Sequence, residues 1–350
     1  MKPASLLTIL LTALITTFSC TESITDSRPR IIRAPQDMIW TADTLKGFDQ
    51  YAQLIPSNLL VFSANDAWLV CWSDIARGLL WHFDGKSWKE SNIAADVGGM
   101  RVNDIAGYSS SDLWACGYSG DEIFLAHYNG SKWTKYNTNG IKGELLDMCK
   151  DTEGNLWVCG RNGLIMKYDR AKWITNYIYL QKAESSKYWF NCVGFTDGLI
   201  HLSMSHIDFS KKIENYYYIH GNISRWLFSD SMIIKNHNSE IKWGYYEFNS
   251  SNNRIHSMGI NGYWIYENGW QKKFSYVKSI YDAWESAFDY KIIVGESKAS
   301  FYNGTHWKDF ETILDVNPSL FTYKSVWTTG YETFIVGYAR DDRLIVWRGK

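Results

Sequence analysis

The sequence predicts an all-β chain: a seven-bladed β-propeller of four-stranded antiparallel blades, its ring closed by the N-terminal strand pairing with the C-terminal blade. Three observations carry that expectation. A turn unit recurs as Phe83-Asp84-Gly85-Lys86-Ser87-Trp88, Tyr128-Asn129-Gly130-Ser131-Lys132-Trp133 and Tyr302-Asn303-Gly304-Thr305-His306-Trp307. A second unit lies upstream, seen as Asn65-Asp66-Ala67-Trp68, Ser111-Asp112-Leu113-Trp114-Ala115-Cys116-Gly117 and Gly154-Asn155-Leu156-Trp157-Val158-Cys159-Gly160. The two chain ends each hold part of one further turn unit.

Taken in order, the chain opens with Met1-Lys2, an apolar run from Leu6 to Phe18, and Ser19-Cys20, the layout of a cleavable export signal. A small residue before a lone early cysteine resembles the lipobox of bacterial lipoproteins. That resemblance implies cleavage after residue 19 and acylation of Cys20, with a membrane contact through lipid only. Residues 20–36 are polar and without apolar period, so they read as a tether, and the propeller is expected over 37–350.

Within the propeller, Asp-Gly and Asn-Gly fit the positive φ of a tight hairpin turn, and the flanking aromatics suit half-buried paired strands. Looser turn units end at Trp173, Trp226 and Trp270. In the upstream unit a polar turn precedes a short apolar strand, ended by glycine where the backbone must bend or pack closely. Fainter copies end in Val294-Gly295 and Val336-Gly337. Two hairpins per repeat make one four-stranded blade. Trp88, Trp133, Trp173, Trp226, Trp270 and Trp307 mark six outer strands, and the chain stops at Trp347-Arg348-Gly349-Lys350, a turn unit lacking its tryptophan. Asp37-Met38-Ile39-Trp40-Thr41 supplies it, which brings the count to seven and removes exposed edges.

These blades, with their Leu-Trp-x-x-Gly and Tyr-Asn/Asp-Gly-x-x-Trp signatures, resemble bacterial propellers of the sialidase-like and photosystem-assembly-factor-like repeat type. The resemblance implies fold rather than activity, since such propellers include enzymes, assembly factors and sugar-binding proteins.

Charge gives no partner. The chain has 36 basic and 37 acidic side chains, a balance without an electrostatic argument for nucleic acid. Five cysteines besides Cys20 are expected as buried thiols. Aspartates 66, 84, 112 and 169 recur at turn positions and His82 and His127 at one strand position, so their reading is structural. There is no metal-spaced histidine pair, no Cys-x-x-Cys, no phosphate loop and no nucleophile elbow, and no cofactor is expected. Arg33-Ala34-Pro35 matches a sialidase signature only over three residues, and the turn unit is one residue shorter than a sialidase Asp-box; no catalytic residue is assigned.

The position after each strand-ending glycine, or its counterpart, differs between repeats: Trp72, Tyr118, Arg161, Met204, Ile260, Glu296 and Tyr338. Packing demands repetition, whereas a shaped binding surface demands variety, so Trp72, Tyr118, Arg161, Glu296 and Tyr338 are the candidate ligand contacts. The insertion from Ser205 to Tyr218, with Lys211, Lys212 and Tyr216-Tyr217-Tyr218, reads either as a contact arm or as the start of a strand. The function expected is a monomeric bacterial envelope lipoprotein, at the outer membrane, presenting its propeller as a binding or assembly platform for a protein or glycan. The alternative is a carbohydrate-active enzyme, a glycosidase or lyase, at the channel mouth.

Overall fold

The computed structural model describes residues 33–45, 54–73, 79–91, 93–178, 186–208, 213–234, 241–245, 247–287, 290–310, 317–339 and 343–350. Cys20, the export signal, and Lys211 and Lys212 lie outside the described residues. At the start of the described chain, Arg33 N–H donates to the Gly330 carbonyl (2.8 Å), and a short 3-10 turn, Pro35–Asp37, follows. Trp40 Nε1 donates back to the Pro35 carbonyl (2.8 Å).

Strand β1 (Trp40–Leu45) precedes a meander of β2 (Leu54–Ser63), β3 (Asp66–Ser73), β4 (Leu79–Phe83) and β5 (Trp88–Ser91). After a five-residue helix, α1 (Ile93–Val97), which the sequence reading did not anticipate, come β6 (Arg101–Ser109), β7 (Asp112–Ser119), β8 (Glu122–Tyr128) and β9 (Trp133–Lys135). The third meander is β10 (Leu145–Lys150), β11 (Leu156–Gly160), β12 (Leu164–Tyr168) and β13 (Trp173–Tyr177). The fourth is β14 (Ser186–Thr196), β15 (Leu199–Asp208), β16 (Ile213–Asn222) and β17 (Arg225–Ile234). Then follow β18 (Glu247–Ser251), β19 (Arg254–Tyr266), β20 (Trp270–Ala287), β21 (Tyr290–Gly295), β22 (Lys298–Tyr302) and β23 (Trp307–Asp309). The last three strands are β24 (Phe321–Thr328), β25 (Thr333–Ala339) and β26 (Leu344–Gly349).

These strands form antiparallel sheets, and the propeller of four-stranded blades expected from the repeats is present. The count of seven is corrected. The described strands make six sheets, five of four strands and one of six, ordered β18-β19-β20-β21-β22-β23. The cause is β20. Its first part pairs with β19, from Trp270 opposite Tyr266 to Ser279 opposite Ile260, and its second part pairs with β21, from Ile280 opposite Gly295 to Ala287 opposite Tyr290. An outer strand and the next inner strand, expected to be separate, are here one continuous strand. No glycine or proline interrupts residues 270–287, so nothing breaks the extended chain between them.

The chain ends pair as expected, with Trp40 opposite Gly349 through to Leu45 opposite Leu344. That pairing completes the sheet β1-β26-β25-β24; a seven-bladed ring closed by it is not what the strands form. Asp43 holds the junction, accepting from Arg348 Nε (2.7 Å) and from Trp88 Nε1 on β5 (3.2 Å).

The two repeated units bury different tryptophans against one another. Trp68 of β3 meets Trp133 edge-on at 6.2 Å between centroids, and Trp114 of β7 meets Trp173 at 5.3 Å. In these two pairs an inner tryptophan of one sheet packs on the outer tryptophan of the next, giving the apolar clusters around them members from two neighbouring sheets. The turn units behave as anticipated: Asp84 Oδ1 accepts from the N–H groups of Lys86 and Ser87, and Gly85 sits at φ +87°. His82 and His127 bond Asp66 (2.9 Å) and Asp112 (2.7 Å) while packing against the rings of Trp68, stacked, and Trp114, tilted. Strand-ending glycines are needed for close approach. A Cβ on Gly117 would stand 1.9 Å from the Arg101 carbonyl, and one on Gly160 would stand 2.2 Å from that of Glu144. Cys71, Cys116, Cys159 and Cys192 are buried and Cys149 is partly so; all five are unpaired.

Candidate functional site

The site is built by a defect repeated in one strand of each of the six described sheets. Register against the second strand slips by one residue at Ser57 in β2, Asn103 in β6, Leu146 in β10, Asn191 in β14 and Lys324 in β24. β20 slips likewise at Tyr281, where its pairing with β21 begins. Each slip is a bulge, which turns one extra side chain out of the alternating pattern. Four of these extra side chains, Ser57, Asn103, Leu146 and Asn191, line one cavity of about 480 Å³. Trp72, Arg101, Trp189 and Tyr216 join them, with Ser205, Glu214 and Tyr245.

The residue after the bulge does a different job. Asp104 accepts from the N–H of Met148 in the following sheet (2.6 Å), Asp147 from that of Val193 (2.6 Å), and Asp282 from that of Val326 (2.8 Å). Each carboxylate ties its own sheet to the next through a backbone group that would otherwise be buried unpaired. Asn58 Nδ2 also donates to Asp104, and Asn249 Nδ2 donates to Asp282 (3.2 Å).

Two of these acids, Asp104 and Asp147, line a pocket next to the cavity. This narrower pocket, of about 150 Å³, shares Ser57, Asn103, Leu146 and Asn191 with the cavity and adds Asp104, Asp147, Cys192 and Glu247. Burial raises the Asp104 carboxyl to about 6 and that of Asp282 to about 7. Burial, then the negative charge of Asp104, pushes Asp147 well above the usual carboxylate range. Glu247 is raised by burial and by Asp282, Asp147 and Asp104. Lys324 is the cation facing this group; burial lowers its pKa, Glu247 opposes the shift, and its ammonium lies 3.6 Å from the centre of the Tyr281 ring.

The cavity walls are aromatic. The Arg101 guanidinium lies over the Trp72 ring, 4.8 Å from its centroid. Tyr216 and Tyr245 pack with centroids 3.9 Å apart, and the Tyr216 hydroxyl donates to Glu214. Burial, then Glu214, raises the Tyr216 pKa. Asn191 exchanges hydrogen bonds with Ser205, Nδ2 to Oγ at 2.8 Å and Oγ to Oδ1 at 3.1 Å.

Of the five residues expected as ligand contacts, Trp72 lines the cavity. Arg161 lies beside it: its guanidinium is 5.9 Å from the Trp189 centroid and its Nε donates to Glu144 Oε2 (2.6 Å). Tyr118 is opposite Arg101 in the β6–β7 pairing and does not line the cavity. Glu296 pairs with Lys278 (3.2 Å) and bridges to Thr322. Tyr338 is opposite Thr322 and Leu344 in the last sheet. Neither lines the cavity. Met204 is fully buried in β15. Arg101, Trp189, Asn191 and Tyr245 line the cavity without being among the contacts expected from sequence. A shared pattern could have marked the bulges, since Val102-Asn103-Asp104-Ile105, Leu145-Leu146-Asp147-Met148 and Ile280-Tyr281-Asp282-Ala283 align at their aspartates. The tyrosine run belongs to β16, where Tyr216 faces the cavity and Tyr218 is buried beside Trp243 and Phe248.

A second cavity, of about 300 Å³, is lined by Arg254, Glu267, Lys273, Lys291, Tyr302 and Trp307. Its cations are met within it or just below: Arg254 and Lys273 by Glu267 (2.7 and 2.9 Å), and Lys291 by the buried Glu285 (3.5 Å).

No protein-family model and no curated protein sequence matches this chain. Among solved structures, YCF48 bound to D1 peptide is similar at TM-score 0.57 and 12% identity, over 88% of this chain and 96% of that one. YCF48 from Cyanidioschyzon merolae is similar at the same TM-score and identity, over 87% and 98%. At this identity the likeness is one of fold: the chain has the β-propeller fold that YCF48 has.

Proposed function

We propose that this protein is a binding platform that holds a segment of a partner protein in the cavity walled by Trp72, Trp189, Tyr216 and Tyr245. One observation carries the reading: flat aromatic faces and hydrogen-bonding amides and hydroxyls from several sheets meet in one open cavity of about 480 Å³. That volume lies in the range of about 300–1,000 Å³ usual for ligand sites. Backbone-rich ligands suit such walls, because peptide groups stack on aromatic faces and bond to Asn and Ser side chains. The fold shared with YCF48, one structure of which is bound to a peptide, supports the same reading.

In the same proposal Cys20 is acylated and tethers the propeller to a membrane of a bacterial cell envelope, and the partner is an envelope protein. Labelling with an alkyne fatty acid is expected to mark the chain and to fail on Cys20→Ala.

The binding test is selection of linear ten-residue peptides from a random display library against the full chain, followed by calorimetry. Trp189→Ala is expected to weaken a selected peptide about tenfold or more, as loss of an aromatic wall does. Peptides that bind Trp189→Ala and Tyr216→Ala as tightly as the parent would contradict the assignment of the cavity, and capture of a glycan but no peptide would replace the protein partner.

A further inference from the structure

We infer that Arg101 anchors a carboxylate of the bound segment, a claim that rests on the peptide-binding reading above and specifies its chemistry. Two charged side chains line the cavity, Arg101 and Glu214. Glu214 is engaged by the Tyr216 hydroxyl. Arg101 has no carboxylate among the described residues, and its Nε is buried with no hydrogen-bond partner.

Arg161 beside this cavity and the cations of the second cavity are placed differently. Arg161 is matched by Glu144, Arg254 and Lys273 by Glu267, and Lys291 by Glu285. A guanidinium donor withdrawn from water without an acceptor costs free energy, so an unpaired Arg101 is destabilising in the free protein. What holds it there is Trp72, whose ring face carries the cation. Stacking of this kind fixes the plane of the guanidinium while leaving its edge, the row of N–H donors, to face an acceptor. That edge fits the two oxygens of a carboxylate, giving two parallel charge-assisted bonds.

The backbone keeps the side chain in place. Arg101 is opposite Tyr118, two residues before the bulge at Asn103, and its carbonyl lies against the Cα of Gly117. Asn103 is itself pinned, donating from Nδ2 to Glu144 (3.0 Å) and to the Leu145 carbonyl (2.7 Å). The strand that carries Arg101 is therefore held on both sides, by its pairing with β7 and by the bonds of Asn103 to β10 and Glu144.

A carboxylate comes either from an Asp or Glu side chain or from the end of a chain. The test takes the display-selected ten-residue peptides in four forms: unmodified, with the C-terminus amidated, with every Asp and Glu replaced by Asn and Gln, and with both changes. Calorimetry on the full chain is expected to show the doubly neutral form binding about ten- to a hundredfold more weakly than the unmodified one. The single change that reproduces the loss names the source of the carboxylate. Arg101→Gln is expected to bind the charged and neutral forms alike, and Arg101→Lys to recover part of the difference. If the wild-type protein binds all four forms equally, or Arg101→Gln preserves the wild-type difference, the carboxylate anchor is overturned while peptide binding stands. If no peptide binds at all, the peptide reading falls and this inference with it. Should Arg101→Gln fold poorly, the four forms on the wild-type protein decide the matter.

Discussion

Asp282 and Asp104 each accept backbone N–H bonds from the next sheet although burial favours their neutral forms. An acid whose pKa is higher folded than unfolded binds its proton more tightly when folded. Its stabilising contribution is therefore complete below the unfolded value, about 3.9, and is lost as pH rises through about 6 for Asp104 and about 7 for Asp282. His201 and His256 act in the opposite sense. Burial lowers both to about 4, so their contribution is complete above about 6.5 and is lost as pH falls through about 4. Against that background the difference between wild type and one variant is the clean observable. Asp282→Asn is expected to cost about 1–3 kcal/mol at pH 5, since an acceptor for a buried N–H is lost, and less at pH 8. Urea unfolding of both proteins at the two pH values measures it; a cost that grows with pH would contradict the raised pKa.

At the scale of the element, the strand-ending glycines and β1 matter most. Gly117→Ala puts a methyl carbon onto the Arg101 carbonyl, which can move only if β6 shifts against β7. We expect a cost of about 1–3 kcal/mol, read as a lower denaturation midpoint, together with weaker peptide binding because Arg101 moves with its carbonyl. Alanine at Gly98, where nothing lies within 4 Å of the added carbon, tests only the backbone, as its φ is +88°. Deleting residues 38–41 removes Trp40 and Thr41 from the β1–β26 pairing and uncovers the edge of β26. A fall in melting temperature of more than about 5 °C is expected; an unchanged melting curve would show that the pairing adds little.

Across the whole molecule, the sheets are joined less by hydrogen bonds between strands than by side chains that cross from one to the next. Trp68 and Trp133, Trp114 and Trp173, and the three bulge aspartates all do this. Apolar residues of β2, β3 and β4 share a cluster with Phe334, Val336, Leu344 and Val346 near the C-terminus. Binding a segment of another protein in the cavity walled by Trp72 and Trp189 touches several sheets at once, so a saturating selected peptide is expected to raise the melting temperature of the wild-type protein by mass action and, at the same concentration, to raise that of Trp189→Ala by less. Differential scanning calorimetry with and without the peptide checks this.

The sequence by itself determined the blade unit, because turns and strand ends are local. Asp84-Gly85 and Asn129-Gly130 specify their hairpins through backbone conformation and their own side-chain bonds. Gly117 and Gly160 mark close approaches within a single hairpin, and Trp40 pairs beside Gly349 as the truncated turn unit implied. Trp72 could be found because it follows a repeated landmark. Only tertiary structure decided the rest. Whether residues 270–287 turn or run on depends on having partners for both parts of one strand, and a count of outer tryptophans cannot reveal that. Arg101, Trp189 and Tyr216 lie on three strands of two sheets and meet only when a one-residue bulge redirects the chain and neighbouring sheets pack. A bulge changes no composition and little periodicity, yet it sets which side chains leave the alternating pattern and reach the cavity.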